Sequence, residues 1–322
     1  MAAVLITTRL FDEAIDRLRT QGHDVHAWSE AGAMPRDELL RRIGDADALI
    51  ALLPDRIDAK LIARGTRLKI VANVAVGYEN IDVASALAAG IVVTNTPDVL
   101  TEATADLTFA LLLAAARRIV EGDTLTRRGA FPPWELIQPH LGMEIHGKAL
   151  GIVGMGRIGT AVARRGALGF DMDVLYHNPE RNPDAERSLR AQYVDFRTLL
   201  AESDFVCVHT PLTPETRHLF DRDAFRRMKP SALLVNVARG PVVDEDALVR
   251  ALETGEIAGA ALDVYENEPA VHRGLIALRK HVVLTPHIGS ATVETRRAMA
   301  SLAVDNVLRV LDGEPPLTPV EP

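Results

Sequence analysis

The stretch Lys148-Ala149-Leu150-Gly151-Ile152-Val153-Gly154-Met155-Gly156-Arg157-Ile158-Gly159 decides the fold. Its first half is a short apolar run of strand character, and its end opens the amphipathic segment RIGTAVARRGAL (157–168). A GxGxxG alone is a common turn, but between a strand and a helix it is the fingerprint of a dinucleotide site. Gly154 permits the tight turn, Gly156 lets backbone approach a pyrophosphate, and Gly159 lets helix and strand pack closely. Met155, Arg157 and Ile158 complete the turn, and the helix start offers oriented amide donors to the anion.

Outward from this turn the chain alternates β-branched runs with amphipathic segments, the pattern of parallel α/β sheets. Upstream the strand candidates are AVLIT (3–7), DVHAW (24–28), DALIAL (47–52), LKIVAN (68–73) and GIVVTN (90–95). Around and after the fingerprint they are KALGIV (148–153), DVLYH (173–177), DFVCVH (204–209), ALLVNV (232–237), GAALDV (259–264) and HVVLTP (281–286). Nearly continuous apolar strands belong to sheets covered on both faces. Two series predict two doubly wound α/β domains. Long helices are predicted over 101–123, with Thr101 as N-cap, and over 291–313, ending at Gly313. The last helix follows a completed second sheet, so the chain is expected to return to its first domain. FPPWELIQPHLG (131–142) interrupts the pattern and reads as an ordered arm or contact loop.

Composition narrows the function. The 322 residues hold 36 Lys plus Arg against 44 Asp plus Glu, and a net charge of −8 argues against nucleic acid as partner. Aromatics at 4% offer few base-stacking platforms. One cysteine, Cys207, excludes an internal disulfide, and its apolar setting reads as a buried, inert thiol. The N-terminus lacks the basic and apolar regions of a secretory signal, and FALLLAAA (109–116) is too short to span a bilayer. A cytoplasmic setting without membrane partners follows. Gly142 to Ala149 fits GxxxxGK but carries Ala where Ser or Thr must bind magnesium, and it precedes a strand, so it is no phosphate loop. No metal site is expected.

About 20 residues past the fingerprint the second strand should end at the adenosine ribose. Here it ends Tyr176-His177-Asn178-Pro179-Glu180-Arg181. Neutral Asn178 does not repel a 2′-phosphate and Arg181 could neutralise one, while Glu180 opposes it. The balance favours NADPH over NADH, with use of both close behind.

Reactive groups are sought at strand ends, because ligands of open α/β sheets lie beyond the carboxyl ends of the strands. Arg239 follows ALLVNVA, Glu268 follows ALDVYEN and His287 follows VVLTP. Arg presents a planar fork for a carboxylate, His transfers protons near neutral pH, and a Glu beside it stabilises the imidazolium. Anchor, acid and tuner form a minimal kit for reducing a 2-oxo acid beside a hydride donor. His209 is the rival acid, although PLTPET after it reads as a turn lining the cofactor.

The blocks VANVAVGYENID (71–82), TNTPDVLTEATADL (94–107), GKALGIVGMGRIG (147–159), SDFVCVHTPLTPET (203–216), MKPSALLVNVARGPVVDEDAL (228–248), LDVYENEP (262–269) and VVLTPHIGSAT (282–292) closely resemble the D-isomer-specific 2-hydroxyacid dehydrogenases. Among these they are most similar to glyoxylate/hydroxypyruvate reductases. The resemblance implies a Rossmann cofactor domain (100–287) inserted into a flavodoxin-like substrate domain (1–99 plus 288–322), with a cleft between them and a homodimer joined through the cofactor domains. It implies Arg239 on the substrate carboxylate, His287 as acid/base and Glu268 as its partner. The amides of Val76 and Gly77 would grip substrate, with Leu100 and Ser290 nearby. His209, Val237, Ala238, Asp263 and Gly289 would join the fingerprint, Asn178 and Arg181 around the cofactor. Other members remain open as alternatives: a D-3-phosphoglycerate or D-lactate dehydrogenase, or a nucleotide-sensing, corepressor-like binding protein. VHRGLIAL (271–278) departs from the usual proline-led segment after the catalytic Glu.

Overall fold

The computed structural model describes residues 1–138, 140–278 and 280–321. Pro139, inside the expected arm, and Pro322, at the end of the expected tail, lie outside the described residues. The chain divides into two compact units. Unit 1 is Met1–Leu100 together with the chain from Ser290 onward, and unit 2 is Thr101–Gly289. Sequence placed these divisions at 99/100 and 287/288. Ile288 and Gly289 stay with unit 2 because the Asp263 carboxylate accepts both of their amides.

Unit 1 holds β1 (Ala3–Ile6), β2 (Asp24–Ala27), β3 (Ala48–Ala51), β4 (Ile70–Asn73) and β5 (Val92–Thr94). All pair in parallel in the order β2-β1-β3-β4-β5, the flavodoxin-like arrangement. The central strands β3 and β4 are buried at every position, as a sheet covered on both faces requires, whereas edge strand β2 alternates. The C-terminal helix Val293–Leu311 packs over β3 and β4, and its N-cap Thr292 accepts the Thr295 amide at 3.1 Å. The tail then crosses β5, where Val320 donates to Val93 O at 2.8 Å.

Unit 2 holds β6 (Ala149–Val153), β7 (Asp173–His177), β8 (Gln192–Tyr193), β9 (Phe205–Val208), β10 (Leu233–Asn236), β11 (Gly259–Leu262) and β12 (Val282–Leu284). They form one parallel sheet, β12-β11-β10-β9-β6-β7-β8, which counted from β6 is the 3-2-1-4-5-6 Rossmann order with one further strand. Strand alternation sends Leu150, Ile152, Cys207 and Val235 to one face, under Phe109, Leu112 and Val162. Val153, Val206, Val208 and Leu234 face the other way, under Phe220, Phe225 and Leu248. Burial pushes the Cys207 thiol up to about 12, which keeps it unreactive.

Two sequence expectations need correction here. The predicted 101–123 helix begins at Thr101 itself, so Thr101 is its first residue and not a cap outside it, and it breaks after Ala116. Arg118 turns left-handed (φ 53°), and a second helix, Ile119–Arg127, starts from it. Arg118 pairs with Glu121 at 2.5 Å, and Glu121 also accepts the His281 amide at 3.0 Å. The arm beyond contains no helix or strand among its described residues, and Phe131, Trp134, Leu136 and Ile137 stand 75–81% exposed. Among the described residues no helix is long and apolar enough to cross a membrane.

Candidate active site

The fingerprint turn follows β6 as its glycines demand. Gly154 is left-handed (φ 99°), and a Cβ there would lie 2.7 Å from the backbone of His209 and Thr210. A Cβ on Gly159 would meet Gly154 O at 2.1 Å. Around Gly156, by contrast, nothing lies within 4 Å of an added Cβ, so the turn presents an open backbone face at the start of the helix Arg157–Phe170. Two glycines serve packing and one leaves room for a diphosphate. Met155 is buried, with its carbonyl accepting Asn182 Nδ2 at 3.0 Å, while Arg157 is exposed and Ile158 half-buried.

His209 follows β9 beside this turn. Its Nε2 is buried and has no partner among the described residues, and burial holds the ring down at about 3. A ring that burial keeps neutral has no imidazolium proton to give, which argues against the rival acid. The orphaned nitrogen beside an open glycine cradle fits a polar dinucleotide.

The ribose end is more self-contained than its sequence indicates. Arg181 donates Nε and Nη2 to Glu186 at 2.9 and 2.8 Å and lies 5.5 Å over the Tyr193 ring. Glu186 also accepts the Tyr176 hydroxyl at 2.6 Å. Asn178 Nδ2 donates to Glu180 O at 2.9 Å. The hydrogen bonds from Arg181 and Tyr176 hold the Glu186 carboxyl below the usual range, so it is ionised and competes for Arg181.

Arg239, Glu268 and His287 all lie in unit 2, past the ends of β10, β11 and β12. Asn236 is buried; its Oδ1 accepts the Ala238 amide and its Nδ2 donates to Arg239 O, each at 3.0 Å, which fixes the Val237-Ala238-Arg239 turn. Arg239 Nη1 donates to Ala238 O at 2.7 Å. Gly240 brings this turn against the Glu268 loop, since a Cβ there would fall 1.9 Å from Tyr265 C. Glu268 Oε1 accepts the Tyr265 amide at 3.0 Å, and Oε2 meets His287 Nδ1 at 2.8 Å. Burial alone would raise Glu268. The His287 and Tyr265 hydrogen bonds and the nearby Arg239 charge outweigh it, and the carboxyl sits below its ordinary value. An ionised carboxylate only accepts, so Nδ1 must carry the hydrogen, and Nε2 is the ring nitrogen that Glu268 does not engage.

Asp263 is fully buried and occupied by this same turn. Oδ1 accepts Thr285 Oγ1 at 2.6 Å and the Ile288 amide at 2.8 Å, and Oδ2 accepts the Gly289 amide at 2.8 Å. Residues on both sides of His287 (φ 54°) are thus tied to one carboxylate. Asp263 and Gly289, expected around the cofactor, are joined to each other. Val76, Gly77, Leu100 and Ser290 lie in unit 1. Leu100 is buried, and Ser290 O accepts the Thr292 amide at 2.9 Å.

Residues 109–289 match the D-isomer specific 2-hydroxyacid dehydrogenase, NAD binding domain. The glyoxylate reductase of Pyrococcus furiosus is 49% identical over 323 residues, spanning 98% of this chain and 94% of that protein. The chain belongs to the D-isomer-specific 2-hydroxyacid dehydrogenase family. A crystal structure of a Thermus thermophilus protein superposes with a TM-score of 0.93 at 46% identity, covering 99% of this chain and 100% of that one. The NADPH-dependent glyoxylate/hydroxypyruvate reductase of Sinorhizobium meliloti, solved with NADP and malonate, gives a TM-score of 0.85 at 34% identity, covering 99% and 96%.

For this dehydrogenase, sequence reasoning missed the groups that hold the candidate residues in place. Asn236 and Gly240 flank Arg239 and carried a signal, an Asn closing a strand and a Gly directly after a candidate Arg. Glu186 carried none, because its bond to Arg181 depends on how helix Pro183–Leu189 turns back. Among the described residues no three His, Cys, Asp or Glu converge as a metal-ligand group.

Proposed function

We propose that this chain reduces small 2-oxo acids, glyoxylate to glycolate and hydroxypyruvate to D-glycerate, with NADPH preferred over NADH. The observation that carries the reading is the His287–Glu268 pair, with its Nδ1 hydrogen fixed, beside Arg239 at the ends of β10–β12. The Gly154–Gly159 turn would hold a nicotinamide dinucleotide, which when bound would supply a hydride for the substrate C2. Arg239 holds the substrate carboxylate, with the Val76 and Gly77 amides as further donors. His287 Nε2 gives its proton to the carbonyl oxygen, which becomes the hydroxyl, and Glu268 stabilises the imidazolium before that transfer. In the oxidative direction the same nitrogen takes the proton back. Unit 2 carries the cofactor turn together with Arg239, Glu268 and His287, and unit 1 the Val76 and Gly77 amides.

Purified protein should oxidise NADPH with glyoxylate and hydroxypyruvate at higher kcat/KM than with pyruvate or 3-phosphohydroxypyruvate, the oxo acids of the D-lactate and D-3-phosphoglycerate dehydrogenases. Failure on both oxo acids with both cofactors overturns the assignment. The NADPH preference rests on Arg181 exchanging Glu186 for the 2′-phosphate. Glu186→Gln removes the competing charge and should widen the NADPH/NADH ratio of kcat/KM by about two- to fivefold, the range of an exposed ion pair. A wild-type preference for NADH would refute the cofactor reading.

The apolar side chains of the 131–142 arm, exposed on unit 2, support a homodimer joined through that unit, and the single buried cysteine suits a cytoplasmic setting. Light scattering should give the mass of two chains, and Trp134→Glu with Ile137→Glu should shift it to one. An unchanged dimer would place the interface elsewhere.

A further inference from the structure

Three consecutive carbonyls after β4 are each held by a donor. Ala75 O accepts the Thr96 amide, Val76 O accepts Asn95 Nδ2 and Gly77 O accepts Asn73 Nδ2, all at 2.8 Å. In a trans peptide the carbonyl and the following N–H point in opposite directions. Fixing these three oxygens therefore turns the amides of Val76, Gly77 and Tyr78 away from Asn73, Asn95 and Thr96. None of those three N–H groups donates to a protein acceptor among the described residues. Successive amides left unpaired form an anion-binding nest.

The donors are themselves anchored. Asn73 is the fully buried last residue of β4, and Asn95 directly follows β5, on the neighbouring strand. Asn95 O accepts Thr318 Oγ1 at 2.6 Å, which ties it to the C-terminal tail. Asn80 Nδ2 bonds Leu52 O and Asp55 O at 3.0 and 3.1 Å, closing the far side of the loop. Both carriers thus stand at carboxyl ends of parallel strands, where open α/β sheets bind ligands.

We infer that Asn95 and Asn73 are positioning residues: each grips a carbonyl of the 75–77 loop, aims the Val76 and Gly77 amides and so sets affinity for the substrate carboxylate without touching it. This rests on the reading that the substrate is a 2-oxo acid. Asn95 is the better probe, being half-buried where Asn73 is sealed in the core. Asn95→Ala removes the donor, and Asn95→Leu removes it at near-constant volume without adding a charge.

With NADPH saturating, both variants should raise the KM for glyoxylate about three- to tenfold, the worth of one net hydrogen bond, and leave kcat within twofold. Calorimetric affinity for oxamate, a redox-inert mimic, should fall by the same factor in the NADH-loaded protein. Affinity for NADPH should stay as in wild type, and the Tm should fall by no more than about 2–3 °C, the cost of that one hydrogen bond. Unchanged oxamate affinity in both variants overturns the inference, as does a parallel loss of oxamate affinity, NADPH affinity and Tm, which marks a merely structural role. Wild-type protein that reduces no 2-oxo acid overturns the functional reading instead, and the oxamate titration still tests the nest. Absence of oxamate binding to wild type overturns the inference as well.

Discussion

His287→Ala should lower kcat for glyoxylate reduction on the order of 10²–10⁴-fold, the usual worth of a positioned general acid, while cofactor affinity stays unchanged. The expectation follows from how the ring is held. Glu268 accepts from Nδ1, and Asp263 binds the amides of Ile288 and Gly289 and the Thr285 hydroxyl, so imidazole orientation is set before substrate arrives. Deleting the ring leaves the developing alkoxide without that donor, and His209, which burial holds in its neutral form, is a poor substitute. Glu268→Gln should fall between wild type and His287→Ala, because the amide oxygen still accepts from Nδ1 but brings no charge. The pH profile offers a further check. Glu268 lies below its ordinary value, so it stays ionised as pH falls through about 4.3, and the acid limb of kcat should lie below that point if folding holds. A kcat for His287→Ala within tenfold of wild type would move the proton donor elsewhere.

The legibility of this fold tracked how local its causes are. Strands covered on both faces announce themselves as apolar runs, and β7 spans the same residues as DVLYH. By contrast β8, two exposed residues long, carries no apolar signal at all. The break at Arg118 was hidden because FALLLAAARRIVEGD contains no proline, and its one glycine, Gly122, lies past the break. At the break the Met143 amide donates to Ala116 O at 2.8 Å, and Glu121 binds both Arg118 and the His281 amide from 160 residues away. The candidate site divides in the same way. Arg239, Glu268 and His287 were visible because reactive side chains at strand ends have a pattern. Asn95 and Asn73 act on backbone carbonyls, which no residue spacing encodes. Arg181 was read as awaiting a phosphate, and its bidentate partner Glu186 emerged only with the helix geometry.

Arg239→Ala should reduce kcat/KM for glyoxylate by about 10²–10³-fold, chiefly through KM, with NADPH affinity unaffected. A carboxylate held by two charge-assisted hydrogen bonds loses roughly 3–4 kcal/mol with them, since each contributes about 1.5–3 kcal/mol and the pair is not fully additive. Geometry argues that the loss is one of orientation as well as charge. Asn236 fixes the backbone on either side of Ala238, and Nη1 bonds Ala238 O, so one edge of the guanidinium is held by its own turn. Arg239→Lys keeps the charge but replaces the fork with a point donor, and should recover only part of the loss. If Lys restored full activity, charge alone would suffice and the anchored edge would be incidental. The same cation also draws the Glu268 carboxyl downward, so Arg239→Ala should move the acid limb of kcat upward in pH. An unchanged KM together with an unmoved limb would remove Arg239 from the site, while a moved limb alone would reduce it to a partner of Glu268.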